Sequence, residues 1–247
     1  MSEFRYTRPS SFPPVVKNLV IINVLVFLAQ SLFDKQYQLT EKLMLWPAMP
    51  EKLHKLLVEA HVLEESQKFK PYQIATHMFS HAPPPMFYHI LFNMLALWMF
   101  GRVLENVWGA KRFLFFYLVC GIGAAALHLG IQYFRCEQLL NAMLANDITA
   151  FQHYQGALAP ALGASGAIMG VMAGFAMLFP NTELFIMLIP VPIKAKWAVL
   201  GFVAIDLFSG ISRISGDNIA HFAHLGGAIT GFLIVLYWNK TNRKTLY

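Results

Sequence analysis

Gly163-Ala164-Ser165-Gly166-Ala167-Ile168-Met169-Gly170 is the stretch whose reading decides the fold. It sets one serine among small residues and opens an apolar run that reaches Phe179. Working outward, the same texture recurs along the chain. Of 247 residues, 57% are hydrophobic and only 13% charged, against about 25% charged in a typical soluble domain. The charges cluster and leave long stretches without any, which predicts an all-α, multi-spanning membrane protein. The formal net charge of +6 forms no basic face. Its cations sit in short groups beside apolar segments, so a nucleic-acid partner is not expected and the bilayer is.

Six spans are predicted, at 15–33, 88–104, 113–134, 165–179, 197–211 and 219–238. They form one domain over 15–238, with a basic arm at 1–14 and a basic tail at 239–247. Between the first two spans, 34–70 is too charged to cross a bilayer. Its Leu53, Leu56, Leu57 and Val58 at helical spacing predict short amphipathic helices at the interface. Pro83-Pro84-Pro85 excludes a regular helix there. A short turn is expected at 101–112, a longer polar connection at 135–155, and an irregular approach at 156–164. Cys120 and Cys136, 16 residues apart on one helix, would be separated by roughly 24 Å, too far for a disulfide. No cleavable signal is expected, because 1–14 is polar and Pro-rich.

Six spans put both ends on one side. That side, with the loops near 101–112 and 180–196, carries eleven Lys/Arg and three acids. The other carries eight Lys/Arg and nine acids. The bias predicts cytoplasmic termini.

Depth connects three separate stretches. Ser165, His224 and His89 each lie 16 residues from the charged or polar residue at the inner end of their span, Asn181, Lys240 and Glu105 respectively. Each is therefore roughly 24 Å up, in a hydrocarbon core about 30 Å thick. Asn93 is one turn deeper than His89. The serine thus starts its helix below the outer surface, and 156–164 has to dip in to reach it, which requires enclosure by protein or water. Gly166, Gly170 and Gly174 on the fourth span, and Gly227 and Gly231 on the sixth, are small-xxx-small faces that bring helix backbones close.

Those residue types fit amide hydrolysis. Ser165 is a candidate nucleophile if a base lies within hydrogen-bond reach, and His224 is the candidate base. Asn93, His89 and the Ser165 backbone N–H are candidate donors to the oxyanion. No carboxylate is expected to orient His224, since Asp206, the only acid inside a span, is on another helix. A Ser–His dyad is predicted rather than a triad.

His89-xxx-Asn93, Gly163-x-Ser165-Gly166 and Ala223-His224-xx-Gly227, on the second, fourth and sixth spans, resemble the rhomboid intramembrane serine proteases. The resemblance runs from about residue 72 to 238. It implies a Ser165–His224 dyad with His89, Asn93 and the Ser165 amide as oxyanion hole, and Gly163, Gly166, Met169 and Gly227 as site support. It implies cleavage of transmembrane protein substrates near small residues, with neither metal nor cofactor, in a membrane taken to be the bacterial inner (plasma) membrane. Substrate entry between the second and fifth spans would pass under a mobile loop at 210–219. His77 and His81 resemble the family's histidine-bearing segment, and Glu105 and Gly109 its turn. Met169 stands where many relatives carry an aromatic, Tyr72-Gln73 where a Trp-Arg pair is common, and the 135–155 loop is longer than in compact members.

Other readings are weighed against this one. His128 and His221 are expected to pair with a backbone carbonyl or a neighbouring helix. His77 and His81, at i and i+4, are a possible metal pair but lack a third ligand. HExxH and GxGD motifs are absent, the nearest to the latter being Ser215-Gly216-Asp217. Intramembrane polar residues also mark transporters, but no internal repeat supports one. A catalytically silent relative that binds membrane proteins remains the other alternative, although this chain keeps both serine and base.

Overall fold

The computed structural model describes residues 9–185, 191–212 and 221–241. The predicted arm and tail therefore lie partly outside it, as does most of the 210–219 loop and all of Ser215-Gly216-Asp217. Helix α1 (Pro14–Tyr37) starts at two prolines, one of which fills a first-turn position that needs no N–H. No side chain of its own caps it. Instead the buried Glu105 carboxylate accepts from the Val15 and Val16 N–H groups at 2.9 and 2.8 Å, satisfying orphan donors at a positive helix end.

The segment between α1 and the next long helix folds as short helices, α2 (Leu39–Leu43), α3 (Glu51–Glu59) and the single turn α4 (Gln73–Thr76). Two of them, α2 and α3, fall within 34–70, where short helices are expected. Gln30, fully buried inside α1, ties this segment down. Its Nε2 donates to Thr40 Oγ1, Ser80 Oγ and the His81 carbonyl, and its Oε1 accepts from the His81 N–H at 3.0 Å. Gln73, also buried, accepts from the Trp46 and Lys70 N–H groups. Gln73 thus organises the loop around it.

Helix α5 (Phe87–Ala96) passes through a π-helical turn at Leu97–Gly101 into α6 (Arg102–Trp108). The turn expected at 101–112 shrinks to Gly109, whose φ of +79° is a conformation glycine adopts without penalty. Helix α7 (Ala110–Leu144) then runs 35 residues, roughly 52 Å. The predicted loop at 135–155 is therefore corrected: it is the end of α7, then α8 (Ile148–Tyr154) and a 3-10 turn at Gln155–Leu158. The helix continues because Cys136 and Leu139 keep helical spacing and bury against Leu53, Leu57 and Ala157. Both cysteines are free and buried.

Next come α9 (Ser165–Leu178), a two-residue antiparallel ribbon of β1 (Glu183–Leu184) and β2 (Ile193–Lys194), α10 (Ala195–Ser212) and α11 (His221–Thr241). Among the described residues, α1, α5 with α6, α7 and α11 are long and apolar enough to cross a membrane. Helix α9 is apolar but has only 14 residues, roughly 21 Å. The chain is an integral membrane protein, mostly α-helical among the described residues.

Helices α7, α9 and α11 form the inner seam. A Cβ added to Gly231 would lie 2.6 Å from the Gly170 carbonyl, and one on Gly166 would lie 2.6 Å from Ala124 Cβ. One on Gly227 would overlap the Gly166 carbonyl. Gly227 and Gly231 therefore meet the backbone of Gly166 and Gly170, while Gly174 faces the Phe116 and Trp108 side chains; such close dispersion contacts replace the hydrophobic drive that lipid cannot supply. Phe113, Phe116, Tyr117 and Cys120 of α7 fill the centre, all fully buried.

Candidate active site

Ser165 is the first residue of α9, where the backbone N–H has no partner within the helix. The irregular approach to it is satisfied by protein. Leu45 and Ala161 exchange two backbone bonds of 2.7 and 2.9 Å, and Gln132 Nε2 donates to the Ala159 carbonyl. Gly163 donates its N–H to the His77 carbonyl at 2.9 Å. Its φ of +124° excludes most side chains, and a Cβ there would lie 3.0 Å from His89 Nε2 and 3.7 Å from Ser165 Oγ. The vacant side of Gly163 thus admits the tip of the His89 ring beside the serine.

His224 lies in the first turn of α11. The Ser165 hydroxyl is 2.8 Å from His224 Nε2, within proton-transfer range. The other ring nitrogen reverses an expectation: Nδ1 stands 3.1 and 3.2 Å from the two oxygens of Asp206. A Nδ1–H donated there leaves Nε2 as the acceptor of the serine proton. The expectation that no carboxylate orients His224 is therefore corrected: Asp206 stands beside its Nδ1. Helix α10 packs beside α11 and reaches across one helix interface, a contact that sequence separation conceals. The signal available was the acid itself, since a carboxylate in an apolar span is a functional candidate whose partner should be sought. Its place on another helix, taken as grounds to set it aside, is what brings it to His224.

His221, one turn before His224, pairs with the neighbouring helix as expected, through Asp206 Oδ1 at 2.7 Å. For His128 the expected pairing with a carbonyl or a neighbouring helix is not found: both its ring nitrogens are buried without a hydrogen-bond partner among the described residues.

His89 accepts from the Ala82 N–H at its Nδ1, at 3.2 Å. Its neutral ring therefore carries the proton on Nε2, facing Gly163 and Ser165. Asn93 lies one turn on, buried, with Nδ2 donating to the His89 carbonyl at 2.9 Å; its second amide hydrogen is available. Met169 is buried in the main apolar cluster with Ala167 and Ile168.

His77 and His81 serve the scaffold. His77 Nδ1 donates to the Gln73 carbonyl at 2.8 Å, and burial lowers its pKa. The His81 ring packs 5.2 Å from that of His89. Burial, then the neighbouring His89, push its pKa down to about 4.

Comparison with known proteins adds an independent line. A family model described as "Rhomboid domain" matches residues 68–240. Rhomboid protein 1, mitochondrial, of Saccharomyces cerevisiae is 33% identical over 158 residues, covering 64% of this chain and 40% of that protein. Rhomboid protease AarA of Providencia stuartii is 30% identical over 159 residues, covering 59% of this chain and 49% of that protein. The human presenilin-associated rhomboid-like protein, mitochondrial, is 30% identical over 168 residues, covering 64% and 37%. In each case the chain spans less than half the relative's length.

Proposed function

Since the chain belongs to the rhomboid family, we propose that it is an intramembrane serine endopeptidase that cleaves peptide bonds in or near transmembrane segments. The observation that carries this is the 2.8 Å approach of Ser165 Oγ to His224 Nε2, with Asp206 on the opposite ring nitrogen.

In the proposed reaction, Ser165 Oγ attacks the scissile carbonyl carbon as His224 Nε2 takes the hydroxyl proton. Asp206 holds Nδ1–H, fixing the tautomer and balancing the imidazolium that forms. The oxyanion receives the Ser165 backbone N–H, the free Asn93 amide hydrogen and His89 Nε2–H. His224 then protonates the leaving amine, and water hydrolyses the acyl-enzyme by the same steps. Gly163 and Gly166 hold the serine turn, Met169 fills the core one turn behind it, and Gly227 sets the closeness of α9 and α11.

Six spans over 15–238 complete the reading, with α9 and α10 as the fourth and fifth, both termini cytoplasmic and the site open to the outer side. The bacterial inner membrane is the proposed setting, with a bacterial relative and the Lys/Arg bias in support. Purified protein in proteoliposomes, incubated with a model single-span substrate, tests the reaction. Cleavage of the substrate within or beside its span, absent in Ser165→Ala and in His224→Ala, is the expected result. Binding of the substrate without cleavage by wild-type protein would identify a silent relative, and solute flux without cleavage a transporter.

A further inference from the structure

Three metal-ligating atoms converge behind the proposed base. Asp206, His221 and His224 each present one, all within 4.8 Å of one another, and the two imidazole Nδ1 atoms face the same Asp206 oxygen at 2.7 and 3.1 Å. His221 and His224 are three residues apart on α11, so they share one helix face, with ring planes at 88° and centroids 6.5 Å apart. In a tetrahedral zinc site with bonds near 2.0–2.1 Å, ligand atoms stand about 3.3 Å from each other. The two nitrogen–oxygen separations would open by about 0.2–0.6 Å, and the remaining pair, within 4.8 Å, would close by up to about 1.5 Å to reach that spacing.

We propose that Asp206, His221 and His224 form an inhibitory site for a divalent cation of the zinc class, which switches off the proton acceptor of the reaction. Two imidazoles and one carboxylate suit zinc and disfavour magnesium and calcium, which prefer oxygen ligands. A metal on His224 Nδ1 takes the lone pair there, so the ring proton resides on Nε2. Nε2 then donates to Ser165 Oγ instead of accepting its proton. No proton leaves the ring; it changes nitrogen. The bound ion also neutralises Asp206, which can no longer orient the ring. Site and catalysis are mutually exclusive because one atom, His224 Nδ1, serves both. The pair flagged by spacing alone, His77 and His81, is not this site, since His77 Nδ1 is engaged by the Gln73 carbonyl.

The inhibitory effect rests on the protease reading; the metal site itself does not. The test uses two readouts on purified full-length protein. Fluorophosphonate labelling is followed against Zn2+ concentration, with Mg2+ as control, and each variant is normalised to its own metal-free rate. Cobalt binding is followed by visible absorption, including in Ser165→Ala, which cannot react. The expected result is Zn2+-dependent, chelator-reversible loss of labelling with no Mg2+ effect. In His221→Ala the half-inhibitory concentration rises about 10–100-fold or more, and Ser165→Ala retains a four-coordinate cobalt spectrum that His221→Ala loses. Labelling unaffected by Zn2+, or equally inhibited in His221→Ala, overturns the site. Failure of metal-free wild-type protein to label contradicts the protease reading instead, and the cobalt spectrum still decides the site.

Discussion

The seam of α9 with α11 and the flank formed by α10 hold their functional residues in opposite ways. In the seam, backbone lies on backbone: Gly231 faces the Gly170 carbonyl and Gly227 the Gly166 carbonyl, with no room for a methyl group. Helix α10 instead leaves Ile205 62% and Phe208 68% exposed, and nothing lies within 4 Å of a Cβ added to Gly201. Ser165 and His224 ride on the tight side, Asp206 on the loose one. The lesson is a division of labour. The proton-transfer distance is set by a contact with no spare room, while the group orienting the base comes from a helix whose outward face is open.

The sharpest way to break that contrast is to place a side chain in the seam. Gly227→Leu should yield no stably folded protein, a loss above about 4 kcal/mol from overpacking against backbone, read by thermal unfolding in detergent. A variant that unfolds near the wild-type temperature would show that the seam relaxes after all. On the loose side, Asp206→Asn should leave the fold intact and slow probe labelling by roughly 10–1,000-fold, through loss of the correct His224 tautomer. Labelling at the wild-type rate would return the site to a dyad.

Apart from the seam, the segment between α1 and α5 is tied down through Gln30 and His81, and acid should loosen it. The His81 pKa is lower in the fold, about 4 against an ordinary 6.5, so the unfolded chain binds more protons between those values. Its contribution is complete above pH 6.5 and lost as pH falls towards 4, on the order of 3 kcal/mol. Thermal stability should therefore drop across that window, and less in His81→Leu; equal drops would assign the effect elsewhere. The smallest change is expected for Gly201→Ala on α10, where the open space predicts a gain of up to about 1 kcal/mol from helix propensity. A large loss there would mean that α10 is packed more tightly than its exposure indicates.

How much of this was legible before the fold was seen depended on whether the signal was local. Ser165 could be found because a serine among glycines opens an apolar run too short to span. The glycine faces could be found because helical spacing is written in the chain. Asp206 escaped because its partner lies across an interface between two helices, a contact that no spacing along the chain records. The end of α7 was misread as a loop because Arg135, Glu137 and Gln138 look like the exit from a bilayer. Its buried face, with Cys136 and Leu139 against α3, continues the helix outside the apolar run. The π-helical turn at 97–101 has no sequence signature, and Glu105 capping α1 joins residues 89 and 90 positions apart.

The most direct trial of the central claim is covalent. Wild-type protein in membranes is treated with a fluorophosphonate probe, and the adduct is mapped by peptide mass spectrometry alongside His224→Ala. A phosphonylated Ser165 in wild type, with that adduct lost in His224→Ala, is the predicted result. An unmodified Ser165 in folded wild-type protein, or equal modification in both, would contradict it.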